Sequence, residues 1–343
     1  DTLTQGLSSI SLLLGAADSA VATGASSEAT RHIRRARDVA RDNLDEARRT
    51  AIAAHGFSVV EVRRAKAGGK WEYVQAGQRN RRITGTTEFA VDGPAAGSDL
   101  LKTTADPSGR RVLGTLNNCA GGTTPWGTVL SGEENFDQYF VGTGSAEEAR
   151  YGLGTKKPTQ RAWETVYDRF DLNNAGYANE ANRFGWVIEM DPEDPESTPV
   201  KHTALGRFKH EAGTAVLSRD GHAVVYSGDD QKNDYLYKFV SRKKYRRGDK
   251  RHNMTLLSDG TLYVAQFRGD SPESEIDGSG DLPSDGAFDG RGRWIPLVRG
   301  NRSLVKGMTV EEVLVHTRLA ADQVGATPMD RPEDVETNPV TGK

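Results

Sequence analysis

Short strand-like runs from Phe57 onward constrain the fold of this chain more than any other feature. Each run holds β-branched and apolar residues and ends at a turn signal such as Asp220-Gly221 or Asp259-Gly260. The predicted strands lie in FSVVEVRR, KWEYVQ, RVLGTL, GTVLSGE, FGWVIEMD, TALGR, TAVLSRDGHAVVYSGDD, YLYKFV, TLYVAQF and RWIPLV. The segments FSVVEVRR and KWEYVQ predict a hairpin whose turn contains Gly68-Gly69. The pattern indicates an all-β unit over residues 56–343, and a barrel, a sandwich and a propeller all satisfy it.

Residues 1–55 differ from the rest and predict a helical N-terminal segment. A helix is expected from Ser26 to His55, with Ser26 or Ser27 as N-cap and Gly56 as its stop. Its arginines alternate with acids, which indicates a solvated, salt-bridged face; attraction of phosphate is the alternative role. The apolar run Leu7 to Leu14 is too brief to span a bilayer.

Length, charge and cysteine count exclude some classes of protein. The 343 residues suffice for one large core. The net charge of -3 and pI near 6.2 give no reason to expect a nucleic-acid partner. The single cysteine, Cys119, excludes an internal disulfide, so packing and metal must provide stability.

Two polar stretches interrupt the predicted strands. They run from Gly144 to Tyr177 and from Arg268 to Arg293. The second holds Asp-Gly pairs typical of calcium loops, but it lacks the ligand spacing of an EF-hand. We therefore expect a solvent-exposed insertion there.

The stretch from Gly114 to Phe136, GTLNNCAGGTTPWGTVLSGEENF, concentrates groups that can bind metal. Asn118, Cys119, Glu133 and Glu134 lie at the ends of predicted strands. Thiolate sulfur favours iron, zinc or copper, whereas carboxylate oxygen favours calcium, magnesium or manganese. The alternative is that Cys119 is a small buried apolar residue beside a glycine turn.

Three later motifs carry charged residues that could bind a metal ion or a phosphate. His210 and Glu211 end the run LGRFKHEAG, and Asp229-Asp230 follows a predicted strand, where a cation or Lys238 would neutralise it. The run MDRPEDVE is the third; its arginine can clamp a phosphate with two parallel hydrogen bonds. Each motif also has a simpler interpretation. His210-Glu211 would be an exposed pair, Asp229-Asp230 a plain turn, and MDRPEDVE an ion-pair cluster at the start of a helix.

The stretch GTLNNCAGGTTPWGTVLSGEENF resembles the signature of the PhoX-type alkaline phosphatases, a family of secreted bacterial phosphatases. Four later stretches resemble the same family in the same order: RFGWVIEMDPEDPESTPVKHTALGRFKHEAG, SGDDQKNDYLYKFV, DGTLYVAQF and ATPMDRPEDVE. The resemblance covers most of the chain from about His55 onward. It implies a β-propeller and an alkaline phosphatase that releases inorganic phosphate from small organic phosphate esters.

The resemblance also implies a site that contains Fe(3+) and Ca(2+). It places Cys119, Glu211 and Glu333 around iron, Arg331 on the phosphoryl group, and Asn118 beside the phosphate. Further metal ligands are expected among the remaining acids of the motifs: Glu134, Asp229 and Asp230.

Family members are exported, usually by a twin-arginine signal, and are longer than this chain at both ends. We therefore expect a periplasmic or extracellular protein and a partial chain that lacks the C-terminal part of the propeller domain. An incomplete propeller exposes strand edges that favour association, although a monomer without membrane insertion is the expected state. Two alternatives stay open. One is an inactive calcium-binding propeller, and the other is a calcium-dependent lactonase or esterase, which would leave Cys119 away from the metal.

Overall fold

The computed structural model describes residues 2–142, 145–154, 159–269, 274 and 290–338. Most of the insertion predicted between Arg268 and Arg293 lies outside the described residues, as does Gly144 at the start of the other polar stretch.

Two helices form the N-terminal segment. Helix α1 (Thr2–Ala22) packs along α2 (Ser26–Ala54), and Gly24 between them takes a φ of 77° that favours glycine. The second helix has the predicted bounds to within one residue, but the predicted serine N-cap is wrong, because the N-cap is Ala25 and no side chain caps this end. Ion pairs such as Arg48–Asp45 at 2.8 Å line its polar face. None of the described helices combines the length and the apolar content that a bilayer crossing needs.

The first large sheet has six strands and carries part of the candidate site. Its order is β6-β5-β10-β9-β8-β7, with only the β5–β10 pair parallel. Its strands are β5 (Glu88–Asp92), β6 (Arg111–Leu113), β7 (Asn118–Thr123), β8 (Val129–Glu133), β9 (Val187–Met190) and β10 (Val200–His202). Four short strands precede them: β1 (Phe57–Val59), β2 (Val62–Arg63), β3 (Glu72–Tyr73) and β4 (Arg81–Ile83).

The second large sheet is an antiparallel run of six strands. Its order is β11-β12-β14-β15-β16-β17. Its strands are β11 (Thr214–Leu217), β12 (His222–Gly228), β14 (Leu236–Lys244), β15 (Gly260–Arg268), β16 (Arg291–Arg299) and β17 (Arg302–Ser303). A separate pair joins β13 (Lys232–Asp234) to β18 (Met329–Asp330). The short helices are α3 (Ala146–Ala149), α4 (Lys250–Asn253), α5 (Val310–Val315) and α6 (Thr317–Val324).

An aromatic cluster forms much of the core and anchors the N-terminal helices. Its fully buried members include Phe136, Tyr139, Phe140, Phe170, Phe184 and Trp186. Ile52 of α2 is fully buried in the same cluster, and the imidazole of His55 contacts the hydroxyl of Tyr139 at 3.0 Å. The second helix is therefore packed into the body of the protein.

The architecture is mostly sheet with some helices. It contains more short helices than an all-β prediction allows, and the propeller stays a prediction. The hairpin predicted from Phe57 forms only in part. Its strands pair as β2 with β3, whereas β1, which contains Phe57, pairs with β4. The strand predicted at TALGR is wrong, because Thr203–Leu205 forms a 3₁₀ turn that ends where Gly206 takes a φ of 82°.

Candidate metal centre

A hairpin brings Cys119 and Glu134 together. Cys119 lies on β7, and Glu134 directly follows β8. The register of the two strands shifts between Asn118 and Gly121, and such a bulge redirects the side chains beside it. Asn117, with a left-handed φ of 47°, accepts a backbone hydrogen bond from Glu134 at 3.1 Å.

Glu211 reaches this hairpin through a close backbone contact. A Cβ on Gly132 would lie 2.2 Å from the carbonyl oxygen of His210, so only glycine allows this approach. His210 is fully buried, and its two ring nitrogens contact Ser227 Oγ at 2.7 Å and the Gly206 carbonyl at 2.9 Å. Burial lowers the pKa of His210 to about 3. The imidazole is therefore neutral with both ring nitrogens hydrogen-bonded, and of this pair it is the Glu211 side chain that joins Cys119 and Glu134.

Three side chains form a group that can hold a metal ion. The ligand atoms of Cys119, Glu134 and Glu211 all lie within 4.8 Å of one another. The sulfur of Cys119 is 3.3 Å from Oε1 of Glu211. Cys119 is thus part of this group, as the phosphatase hypothesis requires and the lactonase alternative does not.

The electrostatics of this group favour the binding of a cation. Burial is the largest cause that raises the pKa of Cys119 to about 12, and the hydrogen bond to Glu211 is the next. Burial is also the largest cause that raises the pKa of Glu134 to about 7, and the negative charges of Glu211 and Asp230 add to it. The pKa of Glu211 is raised too, mainly by burial. A bound cation would reverse these shifts, because it stabilises the ionised forms that bind it. The donor set of one sulfur and several carboxylate oxygens therefore fits a metal ion.

Asp230 and Arg331 lie beside this group. The carboxylate of Asp230 is buried; its Oδ2 accepts a hydrogen bond from Nη2 of Arg331 at 2.6 Å. Its Oδ1 is buried and has no hydrogen-bond partner among the described residues, so it can accept a further ligand. Arg331 also pairs with Glu333 at 3.0 Å, while its side chain stays 53% exposed. Glu333 lies outside the group of three, and its charge is one of the causes of the raised pKa of Glu211.

The backbone at Arg331 is held in an unusual conformation. Arg331 has a φ of 57°, in the left-handed region that costs most non-glycine residues free energy. It follows β18, and its N–H donates to the carbonyl of Gln231 at 3.3 Å. A Cβ on Gly228 would lie 2.1 Å from the carbonyl oxygen of Pro332. The absence of a side chain at Gly228 thus lets the segment that carries Arg331 reach the site.

Asp229 has different surroundings from Asp230. It is fully buried, and the guanidinium of Arg318 binds its oxygens at 2.5 and 2.8 Å. The backbone N–H of Lys209 donates to it at 3.2 Å. Lys238, the neutralising partner considered from sequence, instead lies 4.4 Å from the ring centre of Trp294. These contacts favour a structural role for Asp229, and its predicted role as a calcium ligand stays a prediction.

Asn118 lies next to Cys119 and has one free polar atom. Its amide nitrogen donates to Thr115 Oγ1 at 2.8 Å. Its amide oxygen is buried and has no partner within the described part of the chain. The amide can therefore orient a donor group at the site.

Sequence reasoning missed the role of Glu133. Its carboxylate is fully buried, accepts a hydrogen bond from Lys201 at 2.7 Å and another from the backbone of Gly185 at 3.1 Å. Glu133 therefore holds the sheet together, while its neighbour Glu134 faces the metal group. The alternation of side chains along β8 is the signal that could have separated them.

Comparison with known proteins agrees with this geometry. The family model described as alkaline phosphatase PhoX matches residues 25–343. A solved structure, Pseudomonas fluorescens PhoX in complex with vanadate, a transition state analogue, is 45% identical with a TM-score of 0.77. The match covers 87% of this chain and 50% of that one, so this chain spans about half the length of the solved relative. A search of curated protein sequences found no match. The chain belongs to the PhoX alkaline phosphatase family.

Proposed function

We propose that the protein is a metal-dependent phosphomonoesterase that releases inorganic phosphate from small phosphate esters. The observation that carries this proposal is the convergence of Cys119, Glu134 and Glu211 beside the Arg331–Asp230 pair. Metal ligands and an arginine at one place match what phosphoryl transfer requires, which is positioning and charge neutralisation. The vanadate bound by the solved relative is consistent with this chemistry.

The metals proposed are Fe(3+) and Ca(2+). Cys119, Glu134 and Glu211 would hold iron, because a thiolate favours a transition metal over calcium. Asp230 would contribute its unpartnered Oδ1, which suits calcium. When bound, the ions supply Lewis-acid polarisation of the phosphoryl oxygens. Glu333 and Asp229 remain proposed ligands, although each is paired with an arginine.

Arg331 is the proposed phosphate-binding residue. Its guanidinium is half exposed and presents a planar fork that matches two phosphate oxygens. Binding of a dianionic phosphate would compete with Asp230 and Glu333 for the same donors. Asn118 would lie beside the bound phosphate, where its free amide oxygen would accept a hydrogen bond from a donor such as water.

The site would work outside the cytoplasm, in the periplasm or the extracellular space. This proposal follows the secreted nature of the family. Phosphate esters that cannot enter a cell would be hydrolysed there.

Phosphate release from p-nitrophenyl phosphate by the metal-loaded protein tests the proposed function. We expect turnover that vanadate inhibits, and a loss of roughly 10²-fold or more in kcat/KM for Glu211→Gln. Glu311→Gln on α5 is the matched control and should retain wild-type activity. Absence of turnover in the metal-loaded wild type would favour the inactive propeller instead.

A further inference from the structure

A cavity of about 780 Å³ lies between the short helices, and none of Cys119, Glu134 and Glu211 lines it. Residues of α3, α5, α6 and the 3₁₀ helix Glu180–Arg183 form part of its wall. Binding sites for small molecules have volumes of about 300–1,000 Å³. The cavity is therefore large enough for an organic ligand that does not touch the metal centre.

The wall of this cavity is acidic. Glu147 and Glu148 on α3 and Glu312 on α5 line it, whereas no lysine or arginine of the described chain does. Arg207 lies outside the lining, fully buried, and donates its guanidinium hydrogens to three backbone carbonyls. A ligand that neutralises this wall must be a cation.

Helix capping accounts for only one oxygen of two of these glutamates. Oε2 of Glu148 accepts a hydrogen bond from the backbone N–H of Ser145 at 2.9 Å. Oε2 of Glu312 accepts one from the backbone N–H of Thr309 at 2.7 Å. Neither capping bond uses Oε1, which leaves one oxygen of each carboxylate for a ligand.

Two buried side chains of the wall lack a hydrogen-bond partner. Asn182 is 3% exposed and His316 is 9% exposed, and both line the cavity. Oδ1 of Asn182 and Nδ1 of His316 have no partner among the described residues. The amide nitrogen of Asn182 donates to the carbonyl of Leu100 at 3.1 Å, so its oxygen is the atom left to accept. Since buried polar atoms are normally hydrogen-bonded, a donor is expected here.

The imidazole of His316 can also accept a hydrogen bond. Burial, and then the positive charge of Arg207, lowers the pKa of His316 to about 4. The ring is therefore neutral at physiological pH, and one of its two nitrogens is an acceptor. With the carboxylates and Asn182, the cavity offers acceptors at several places along its wall.

The spacing of these acceptors does not suit a single metal ion. Within the described part of the chain, the acidic, cysteine and histidine side chains that converge closely enough for a metal are Cys119, Glu134 and Glu211. The glutamates and His316 of the cavity do not converge in this way. Apolar side chains share the wall with them: Leu100, Leu172, Ala178, Met308 and Leu319. Separate positive groups joined by an apolar chain would match this wall.

We infer that this cavity binds a linear organic diamine or polyamine. Each ammonium group has three donors and no acceptor, so it suits the carboxylates and the unpartnered atoms of Asn182 and His316. The methylene chain between the ammonium groups would contact the apolar side chains. The inference is independent of the proposed phosphatase function, because the two sites share no residue.

Calorimetry with three small probes tests the ligand class. The probes are putrescine, which is a linear diamine, butylamine with one amino group, and butanediol with none. The metal-loaded protein is used, so that the acidic group at Cys119 is already occupied. We expect butylamine to bind at least about tenfold more weakly than putrescine, and butanediol not to bind. Absence of putrescine binding, or equal affinities for putrescine and butanediol, would overturn the inference.

Charge-neutral variants locate the binding in the cavity. Glutamine also caps a helix, so Glu148→Gln and Glu312→Gln should keep the fold. Each should weaken putrescine binding about tenfold. Glu311→Gln is the control on the same helix, because Glu311 does not line the cavity. Wild-type affinity in both Glu148→Gln and Glu312→Gln would overturn the inference.

Glu211→Gln separates this cavity from the metal centre. Putrescine should bind this variant with wild-type affinity, although hydrolysis of phosphate esters falls. A loss of putrescine binding in Glu211→Gln would place the amine at the metal centre and overturn the inference. Calorimetry detects binding whether or not the protein hydrolyses phosphate esters, so absence of turnover would contradict the proposed function alone.

Discussion

Arg318 binds both carboxylate oxygens of Asp229, and both side chains are fully buried. The pair connects to the candidate metal centre through the backbone, because Asp229 also accepts a hydrogen bond from Lys209, two residues before Glu211, and its neighbour Asp230 binds Arg331. Arg318 also lies 3.6 Å from the buried carboxylate of Asp234, so a buried ionic cluster supports the positions of Glu211 and Asp230.

Removal of Arg318 should destabilise the fold strongly. Arg318→Met leaves the Asp229 carboxylate buried without a cation, which costs about 3–5 kcal/mol of the free energy of unfolding. Urea denaturation measures this loss. Arg242→Met is the control, because its partner Asp259 lies 3.0 Å away at the surface and such pairs contribute at most about 1 kcal/mol. Equal losses in the two variants would contradict the account.

Arg331 should matter for activity and little for stability. Its side chain is 53% exposed, so Arg331→Lys should keep the fold. Lysine cannot offer the planar fork, and kcat/KM for phosphate esters should fall about 10²-fold. Arg302→Lys on the exposed strand β17 should not change it. Wild-type kinetics for Arg331→Lys would show that the guanidinium does not contact the phosphoryl group.

Gly228 should be required for the position of Arg331. In Gly228→Ala the new Cβ would lie 2.1 Å from the Pro332 oxygen and 2.4 Å from the Glu333 oxygen, so the segment must move away. A displacement of about 1 Å at a catalytic group can cost roughly 10²-fold in rate. Gly122→Ala, whose Cβ meets nothing, should retain hydrolysis of ethyl phosphate. Full activity in Gly228→Ala would mean that this contact does not position the site.

His202 should make stability fall between pH 6.5 and 8. Burial alone would lower the pKa of His202, but Asp92 at 2.8 Å and Glu189 at 2.9 Å raise it to about 10. The folded protein therefore keeps a proton that the unfolded chain releases above pH 6.5. Stability from this group is complete below pH 6.5 and declines as pH rises, by at most about 2 kcal/mol up to pH 8.

Urea denaturation of wild type and His202→Gln at pH 6.5 and pH 8 isolates the contribution of His202 to the free energy of unfolding. The variant should be less stable at pH 6.5, with a smaller change toward pH 8. Lys201, whose pKa burial lowers to about 8, acts with the opposite sign only above that range. The same pH dependence in both proteins would rule out a charged His202 in the fold.

Short sequence patterns predicted the elements whose contacts are between residues close in the chain. The helix from Ser26 follows from its charge pattern and the Gly56 stop, although its predicted serine cap is wrong, and the hairpin of β11 and β12 follows from an Asp-Gly turn. TALGR was mistaken for a strand, because its apolar residues pack in the core from a 3₁₀ turn. Periodicity over five residues cannot separate these two cases.

The candidate site combines local and distant contacts. Cys119 and Glu134 lie on one hairpin, so a strand prediction alone brings them close. Glu211 is 92 residues from Cys119, and Arg331 is 101 residues from Asp230. Only the family resemblance could join these residues in advance. Nothing in the sequence around Arg318 indicates that it pairs with Asp229, because that contact depends on the packing of α6 against the sheet.

Metal analysis of the purified protein by plasma mass spectrometry tests the central claim most directly. It should be run on wild type and on Cys119→Ala, with hydrolysis of p-nitrophenyl phosphate measured on the same samples. We predict iron and calcium in the active wild type, and loss of both iron and turnover in the variant. Unchanged iron content and turnover in Cys119→Ala would contradict a metal centre built on Cys119, Glu134 and Glu211.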